Sequence, residues 1–118
     1  MNVTTSKGDS ICNSKEEIKK LMEAGKTQPD EIWISGEDEY PCLIIMTNGE
    51  HACLHYIEDE GDVQQSCGDS EEKVTFLAAG EEFTPPADAV VSFETAVLCM
   101  EEFYDTEECP ECIEWEEL

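Results

Sequence analysis

The pattern of apolar and polar positions near the N-terminus predicts a short amphipathic helix. Ser14 is followed three residues later by Glu17, which has the form of a capping box at a helix start. Apolar residues then recur at helical spacing, and Gly25 is a natural C-terminal stop. We therefore predict a helix at about residues 14–24, with an apolar stripe formed by Ile18, Leu21 and Met22.

A longer helix is predicted towards the C-terminus. Ser92 is a favourable N-cap residue, and Pro110 prevents simple continuation of the helix beyond it. After Pro110, the segment Ile113–Trp115 is typical of a last short strand. The apolar positions between the cap and the proline form a broad stripe, which we expect to be buried: Phe93, Ala96, Val97, Met100, Phe103 and Tyr104.

The central part of the chain predicts a β-hairpin. Cys42–Thr47 is almost continuously apolar, and Asn48-Gly49 offers the left-handed backbone that a tight turn requires. The partner strand runs from Glu50 to about Ile57 and alternates in polarity. One face carries Ala52, Leu54 and Tyr56, and the other carries His51, Cys53 and His55.

Other segments complete the prediction. Glu31–Ser35 and Val74–Ala79 have the composition of strands, the second ended by Gly80, and Val90-Val91 is a candidate for another short strand. Residues 58–72 are polar and strongly acidic, which predicts a loop. We therefore expect one domain over residues 1–118 with an α+β fold. It has an N-terminal helix, a longer C-terminal helix and a mainly antiparallel sheet of about five to six strands.

The charge distribution is the strongest compositional signal. The 118 residues include 30 Asp and Glu but only 6 Lys and no Arg, for a net charge of −24. Residues 1–26 hold five of the Lys, whereas residues 27–118 hold 26 acidic side chains and only Lys73. Such a charge destabilises the compact state by self-repulsion, so we expect it to serve a basic partner.

The same charge excludes several classes of function. Direct binding to nucleic acid requires cations that neutralise phosphates, and an anionic membrane surface would repel this protein. No apolar run approaches the length of a membrane span, and the first residues lack the apolar core of a signal peptide. We therefore expect a cytoplasmic protein.

The seven Cys residues do not indicate a disulfide framework, because their number is odd and no export signal is present. Cys42, Cys53 and Cys99 lie in apolar segments and are interpreted as small buried residues. Cys109 and Cys112 form a single CxxC motif that follows a helix instead of opening one. Neighbouring glutamates would raise the thiol pKa there, so we favour a structural interpretation.

A metal site is a second hypothesis for some of these residues. His51, Cys53 and His55 share one predicted strand face, and Cys109 and Cys112 could complete a zinc site. The protein would then be a small metal-binding regulatory module. The spacing of the His and Cys residues on one strand is a loose ligand pattern, so we predict no metal and no other cofactor.

Enzymatic activity has little support in the sequence. There is no GxSxG motif, no glycine-rich phosphate loop, and only two His residues that could act as a general base. We therefore predict a protein that acts by binding.

The C-terminal segment, from Ser92 to the end, reads SFETAVLCMEEFYDTEECPECIEWEEL. It resembles the closing segment of the first family of bacterial polymorphic-toxin immunity proteins. In that family a helix with a buried Ala and Phe precedes a short spacer with Pro and an apolar-x-Trp-Glu-x-Leu terminus. The chain departs from the family at the spacer, where Glu107, Glu108 and Cys109 replace a Gly or basic residue. The matching positions are Ala96, Phe103, Pro110, Ile113, Trp115, Glu116 and Leu118.

The resemblance implies a small cytoplasmic protein that protects its producer from a secreted toxin domain. One relative neutralises a cytosine-deaminase toxin that acts on DNA, by covering its active site. Trp115 and Glu116 would belong to the fold and not to the contact surface, since an aromatic anchor at this position packs under the last helix.

The predicted function is therefore inhibition of a cognate toxin, a deaminase or nuclease that acts on nucleic acid, within a heterodimer. Acidic residues would pair with the basic cleft of the toxin. A DNA-mimic inhibitor of a host DNA-binding protein, with no toxin involved, is an alternative that the charge also allows. The predicted toxin-binding residues are Glu37, Asp38, Glu39, Glu58, Asp59, Glu60, Asp62, Asp69, Glu71 and Glu72.

Overall fold

The computed structural model describes all 118 residues as an antiparallel sheet with two helices on one face. The sheet has eight strands, in the order β10-β6-β5-β4-β3-β1-β2 with β9 added beside β5, and β7 and β8 form a separate hairpin. The bounds are β1 Asn2–Thr5, β2 Gly8–Ile11, α1 Lys15–Glu23, β3 Asp30–Ser35, β4 Cys42–Asn48, β5 His51–Asp59, β6 Asp62–Cys67, β7 Phe76–Ala78, β8 Glu81–Phe83, β9 Val91–Ser92, α2 Phe93–Thr106 and β10 Glu114–Glu117.

The predicted α+β class is confirmed, but the sheet contains more strands than expected. Two strands, β1 and β2, precede α1 as a hairpin, whereas the prediction placed the helix first. Every residue of β2 is exposed, so its sequence carries no burial pattern that could reveal a strand. The predicted strand at Val74–Ala79 is reduced to the three residues of β7.

The predicted loop at residues 58–72 is wrong for residues 58–67, which form the end of one strand, a tight turn and a second strand. β5 continues to Asp59, the chain turns at Glu60-Gly61, and Asp62–Cys67 returns as β6. Gln65 and Ser66 are buried in this strand although they are polar. The Gln65 amide oxygen lies 2.9 Å from His55 Nε2, and the Ser66 hydroxyl donates to Ala89 O at 2.7 Å. These hydrogen bonds allow a polar segment to occupy the sheet.

The two helices begin as predicted. Ser14 Oγ accepts a hydrogen bond from Glu17 N, and Ser92 Oγ accepts one from Thr95 N at 3.1 Å. The predicted end of α1 at about residue 24 is confirmed, since the α-helix ends at Glu23 with Ala24 as its C-cap and the chain then forms a 3-10 turn at residues 24–26. Gly25 does not have the positive φ of a left-handed helix cap. Gly25 is required there for a different reason, since a Cβ would overlap the side chain of Thr47.

The core has two parts, one on each face of the sheet. The larger part lies between the sheet and the helices and includes Leu54, Tyr56 and Phe103. The smaller part lies on the outer face under β7, β8 and residues 84–90, and includes Cys53 and Phe76. The predicted alternation of β5 is therefore confirmed, because Ala52, Leu54 and Tyr56 enter the larger part, whereas Cys53 enters the smaller part and His55 contacts Phe83 on that face.

Candidate interaction surface

Antiparallel pairing brings two acidic turns to the same end of the sheet. Ser35 at the end of β3 pairs with Cys42, and Cys42 pairs with Ile57 near the end of β5. The β3–β4 connection, with Glu37, Asp38 and Glu39, therefore lies beside the end of β5, with Glu58 and Asp59, and the β5–β6 turn, with Glu60. All six of these side chains are exposed.

Tyr40 lies near carboxylates from both acidic segments. Desolvation raises the pKa of its phenol, and the carboxylates of Glu39, Glu60 and Asp59 raise it further. These carboxylates come from both turns, so a single side chain experiences their combined field. The structure thus brings together seven of the predicted toxin-binding residues, since Asp62 begins β6 directly after the β5–β6 turn.

The C-terminal end of α2 adds two acidic residues to this site. Glu107 is the C-cap residue of α2, and its carboxylate packs so closely on Gly36 that a Cβ there would overlap it. Tyr56 donates a hydrogen bond to Glu58 Oε2 at 3.0 Å, and Glu108 is one of the charges that raise the Tyr56 pKa. The negative end of the α2 dipole points to the same place.

The last strand supplies one more carboxylate. β10 pairs antiparallel with β6, which places Glu117 opposite Gln64, close to the β5–β6 turn. Glu117, Glu58 and Asp62 line one cleft together with Trp115. We call the whole surface the acidic end. Its ten exposed carboxylates belong to Glu37, Asp38, Glu39, Glu58, Asp59, Glu60, Asp62, Glu107, Glu108 and Glu117.

No lysine neutralises the acidic end. The two ion pairs of the protein are Lys15–Asp105, at 2.7 Å, and Lys26–Glu50, at 3.9 Å, and neither includes one of the ten carboxylates. Unpaired, exposed carboxylates at this density create a negative potential that attracts a cationic surface. The site can therefore bind a basic partner.

Three of the predicted toxin-binding residues lie elsewhere. Asp69, Glu71 and Glu72 are exposed, but they follow the opposite end of β6. Gly68 N donates to Asp88 O at 2.7 Å, and the chain then reaches the end of β4, where the Asn48 amide donates to Thr75 O at 2.8 Å. Their inclusion in one surface with Glu58 followed from the predicted loop. The intervening strand β6 separates them.

Three residues of the acidic end were missed by the sequence prediction: Glu107, Glu108 and Glu117. A signal for two of them was present. Helix C-termini favour cations, yet the last turn of α2 has no basic residue and is followed by Glu107 and Glu108. Glu117 could be placed only after the pairing of β10 with β6 was known.

The structure contradicts the metal site that combined two sets of residues. Cys53 belongs to the smaller part of the core, on the outer face of the sheet. His51 and His55 alternate along β5 with the residues that face the helices. Cys109 packs against the larger cluster on the helix side of the sheet. The sheet therefore separates the His51–Cys53–His55 face from the CxxC motif. No group of three or more His, Cys, Asp or Glu side chains is arranged to hold a metal ion.

The cysteines predicted to be buried are confirmed as such. Cys42, Cys53 and Cys99 are at most 4% exposed. Burial raises the pKa of the Cys42 and Cys53 thiols to about 11. Burial also raises the pKa of Cys109 to about 11, with nearby carboxylates, Glu58 first among them, adding to the effect.

The segment that carries the family resemblance forms the helix-side core and its edge. Ala96 and Phe103 are fully buried, as the resemblance implied. Trp115 is partly buried, lies 6.2 Å from the Tyr56 ring and donates its indole N–H to Pro110 O at 2.8 Å. Its contacts are those of a residue that anchors β10 to the core.

Neither helix of the structure is long and apolar enough to cross a membrane.

Comparison with known proteins identifies a family for this chain. No curated protein matches the chain at a significant level. Residues 11–117 match the family described as Immunity protein Imm1. The matched region covers most of the chain and includes both helices and the acidic end. The chain therefore belongs to the Imm1 immunity protein family, whose function is the neutralisation of a toxin.

Proposed function

We propose that this protein neutralises a cognate toxin by placing its acidic end in the basic active-site cleft of the toxin. The observation that carries the proposal is the concentration of ten exposed carboxylates without a lysine partner, on turns and strand ends from distant parts of the sequence. A cleft that binds nucleic acid is lined with cations, and a dense row of carboxylates is complementary to it. The toxin would be a deaminase or nuclease.

The mechanism is occlusion without a chemical step. The protein would bind as a heterodimer with the toxin in the cytoplasm and exclude the substrate from the cleft. The charge would also accelerate encounter, because complementary fields raise association rates by about 10–1,000-fold at low ionic strength. Rapid association suits a protein that must capture a toxin before the toxin acts.

The placement of charge on α2 supports a role in binding. Acidic residues at a helix C-terminus oppose the helix dipole, at a cost of about 0.3–1 kcal/mol each. Glu107 and Glu108 are therefore unfavourable for folding where they stand. Charges that oppose folding but are concentrated on one surface support a function of that surface in binding.

The first experiment identifies the partner. The tagged protein is recovered from its native source, and the proteins bound to it are identified by mass spectrometry. We expect one partner that carries a toxin domain with a basic cleft. Recovery of chromosomal DNA-binding proteins instead would contradict the proposal and favour general DNA mimicry.

The second experiment compares two triple variants that change the net charge equally. Glu37→Lys, Glu39→Lys and Glu60→Lys alter the acidic end, and none of these carboxylates accepts a hydrogen bond in the structure. The matched control, at the opposite end of the sheet, is Asp69→Lys, Glu71→Lys and Glu72→Lys. Glu58 is left intact because it accepts the Tyr56 hydroxyl hydrogen bond.

The readout is the association rate constant with the toxin domain as a function of ionic strength. The acidic-end variant should associate at least about 10-fold more slowly at low salt, with a flatter salt dependence. The control variant should lose much less. Equal losses in the two variants would show that net charge alone steers binding and would refute the proposed surface.

A further inference from the structure

The exposed cysteine of the CxxC motif has its closest thiol partner on helix α2, outside the motif. Cys112 Sγ lies 2.9 Å from Cys99 Sγ, which is shorter than the sum of two sulfur van der Waals radii. Cys99 is fully buried in α2, whereas Cys112 is exposed in the segment between α2 and β10. The two residues are 13 positions apart in the sequence.

Three contacts hold Cys112 in this position. Glu111 N donates a hydrogen bond to Glu102 Oε2 on α2. The Trp115 indole donates to Pro110 O at 2.8 Å. Ile113, which directly follows Cys112, packs against the larger core cluster. The segment that carries Cys112 is thus fixed on both sides, and its thiol is directed at the helix.

We propose that Cys99 and Cys112 are a site of intramolecular disulfide formation that joins α2 to the segment before β10. The remaining thiol of the motif, Cys109, is not part of the bond. It packs against the helix-side core, and the thiol contact of Cys112 is made with Cys99. The CxxC motif therefore supplies one cysteine to the bond, and the helix supplies the other.

The oxidant is a low-molecular-weight disulfide such as oxidised glutathione. The Cys112 thiolate attacks one sulfur of that disulfide, so the S–S bond breaks and one small thiolate leaves. The Cys99 thiol then attacks the Cys112 sulfur of the mixed disulfide, and its proton passes to the second small thiolate, which leaves as a thiol. Two protein thiols are oxidised, and one small disulfide is reduced to two thiols.

The surroundings of the pair determine the conditions for the reaction. Burial, the contact with Cys112 and the Glu102 carboxylate all raise the pKa of Cys99. Since the thiolate is the reactive form, oxidation should be slow at neutral pH and faster in mildly alkaline solution. Cys112 is the only one of the two that the oxidant reaches directly, because Cys99 is covered by the core.

The test is peptide mapping of the full chain after incubation with oxidised glutathione at mildly alkaline pH. Digestion with a glutamate-specific protease cuts between the two cysteines, so a disulfide joins two peptides and lowers their summed mass by two hydrogens. We expect the Cys99–Cys112 pair in the natural sequence and in Cys109→Ser. Cys112→Ser, a change at an exposed position, should abolish it.

A stability measurement provides a second readout. In the Cys109→Ser background the oxidised protein should have a Tm about 5–10 °C above that of the reduced protein, because the bond closes a short loop of the unfolded chain. A Cys109–Cys112 bond, a persistent glutathione adduct on Cys112, or an unchanged protein after incubation would overturn the proposal.

Discussion

Replacement of Glu107 by Gly should stabilise the protein, because Glu107 is unfavourable in two ways. It is the C-cap residue of α2 in the left-handed backbone region, with φ 51° and ψ 35°. Its N–H donates to Phe103 O at 2.7 Å, the hydrogen bond that closes such a cap. Glycine is the residue that adopts this conformation without steric cost. The Glu107 carboxylate also lies at the negative end of the helix dipole.

The expected gain follows from these two contributions. The left-handed conformation costs a residue with a Cβ about 1 kcal/mol relative to glycine. Removal of a carboxylate from a helix C-terminus contributes about 0.5 kcal/mol. Glu107→Gly should therefore raise the free energy of unfolding by about 1.5 kcal/mol and the Tm by about 5 °C.

Glu107→Gln is the matched control, because it removes the charge but keeps a Cβ in the left-handed region. It should recover only about 0.5 kcal/mol. Urea denaturation followed by tryptophan fluorescence and circular dichroism measures both variants. A Gly variant no more stable than the natural protein, or a Gln variant with the same gain as Gly, would refute the backbone argument. Both variants should associate more slowly with the toxin.

Three further changes have defined outcomes, all measurable by urea denaturation. Phe103→Ala removes a fully buried ring that stacks edge-on with Tyr56 at 6.3 Å and should cost about 3–5 kcal/mol; a loss below 1 kcal/mol would contradict its place in the core. Ser92→Ala removes the hydrogen bond to Thr95 N and should cost about 1 kcal/mol; no loss would mean that α2 does not depend on this cap. Burial raises the pKa of Cys53 from 9.0 to about 11, so the folded state keeps its proton where the unfolded chain has lost it. The stability from that proton is complete below pH 9 and falls as the pH approaches 11, by about 2 kcal/mol in reducing buffer; Cys53→Ala should show a smaller fall.

The elements that the sequence predicted well are those in which one face is apolar. The stripe of α2 and the alternation of β5 each record burial against the same core, and the Ser14 and Ser92 caps mark where the helices begin. The Asn48-Gly49 signal also predicted the β4–β5 hairpin, although the two turn residues are Gly49 and Glu50. Gly49 supplies the positive φ of 62°.

The strands that the sequence did not predict are polar or fully exposed. β6 is buried through Gln65 and Ser66, whose polarity is compatible with burial only because His55 and Ala89 provide hydrogen-bond partners. Partners contributed by distant residues cannot be read from the strand itself. The only local signal for the β5–β6 turn was Gly61, which has a φ of 93°.

The candidate surface was predictable in its charge and only partly in its composition. Seven of the ten carboxylates were identified, because they lie in two acidic runs of the sequence. Glu117 is placed at this surface by the antiparallel pairing of β10 with β6, and Glu107 and Glu108 are placed there by the direction of α2. Both features are properties of the fold.

The most direct test of the proposed surface is hydrogen–deuterium exchange of the protein alone and in complex with its toxin. If the toxin binds the acidic end, amide exchange should become slower in the complex at residues 36–41, 57–62 and 105–111. Residues 69–73 and the β4–β5 turn, at the opposite end of the sheet, should exchange at the same rate in both states. Protection confined to that opposite end, or to the helix α1 face, would contradict the account.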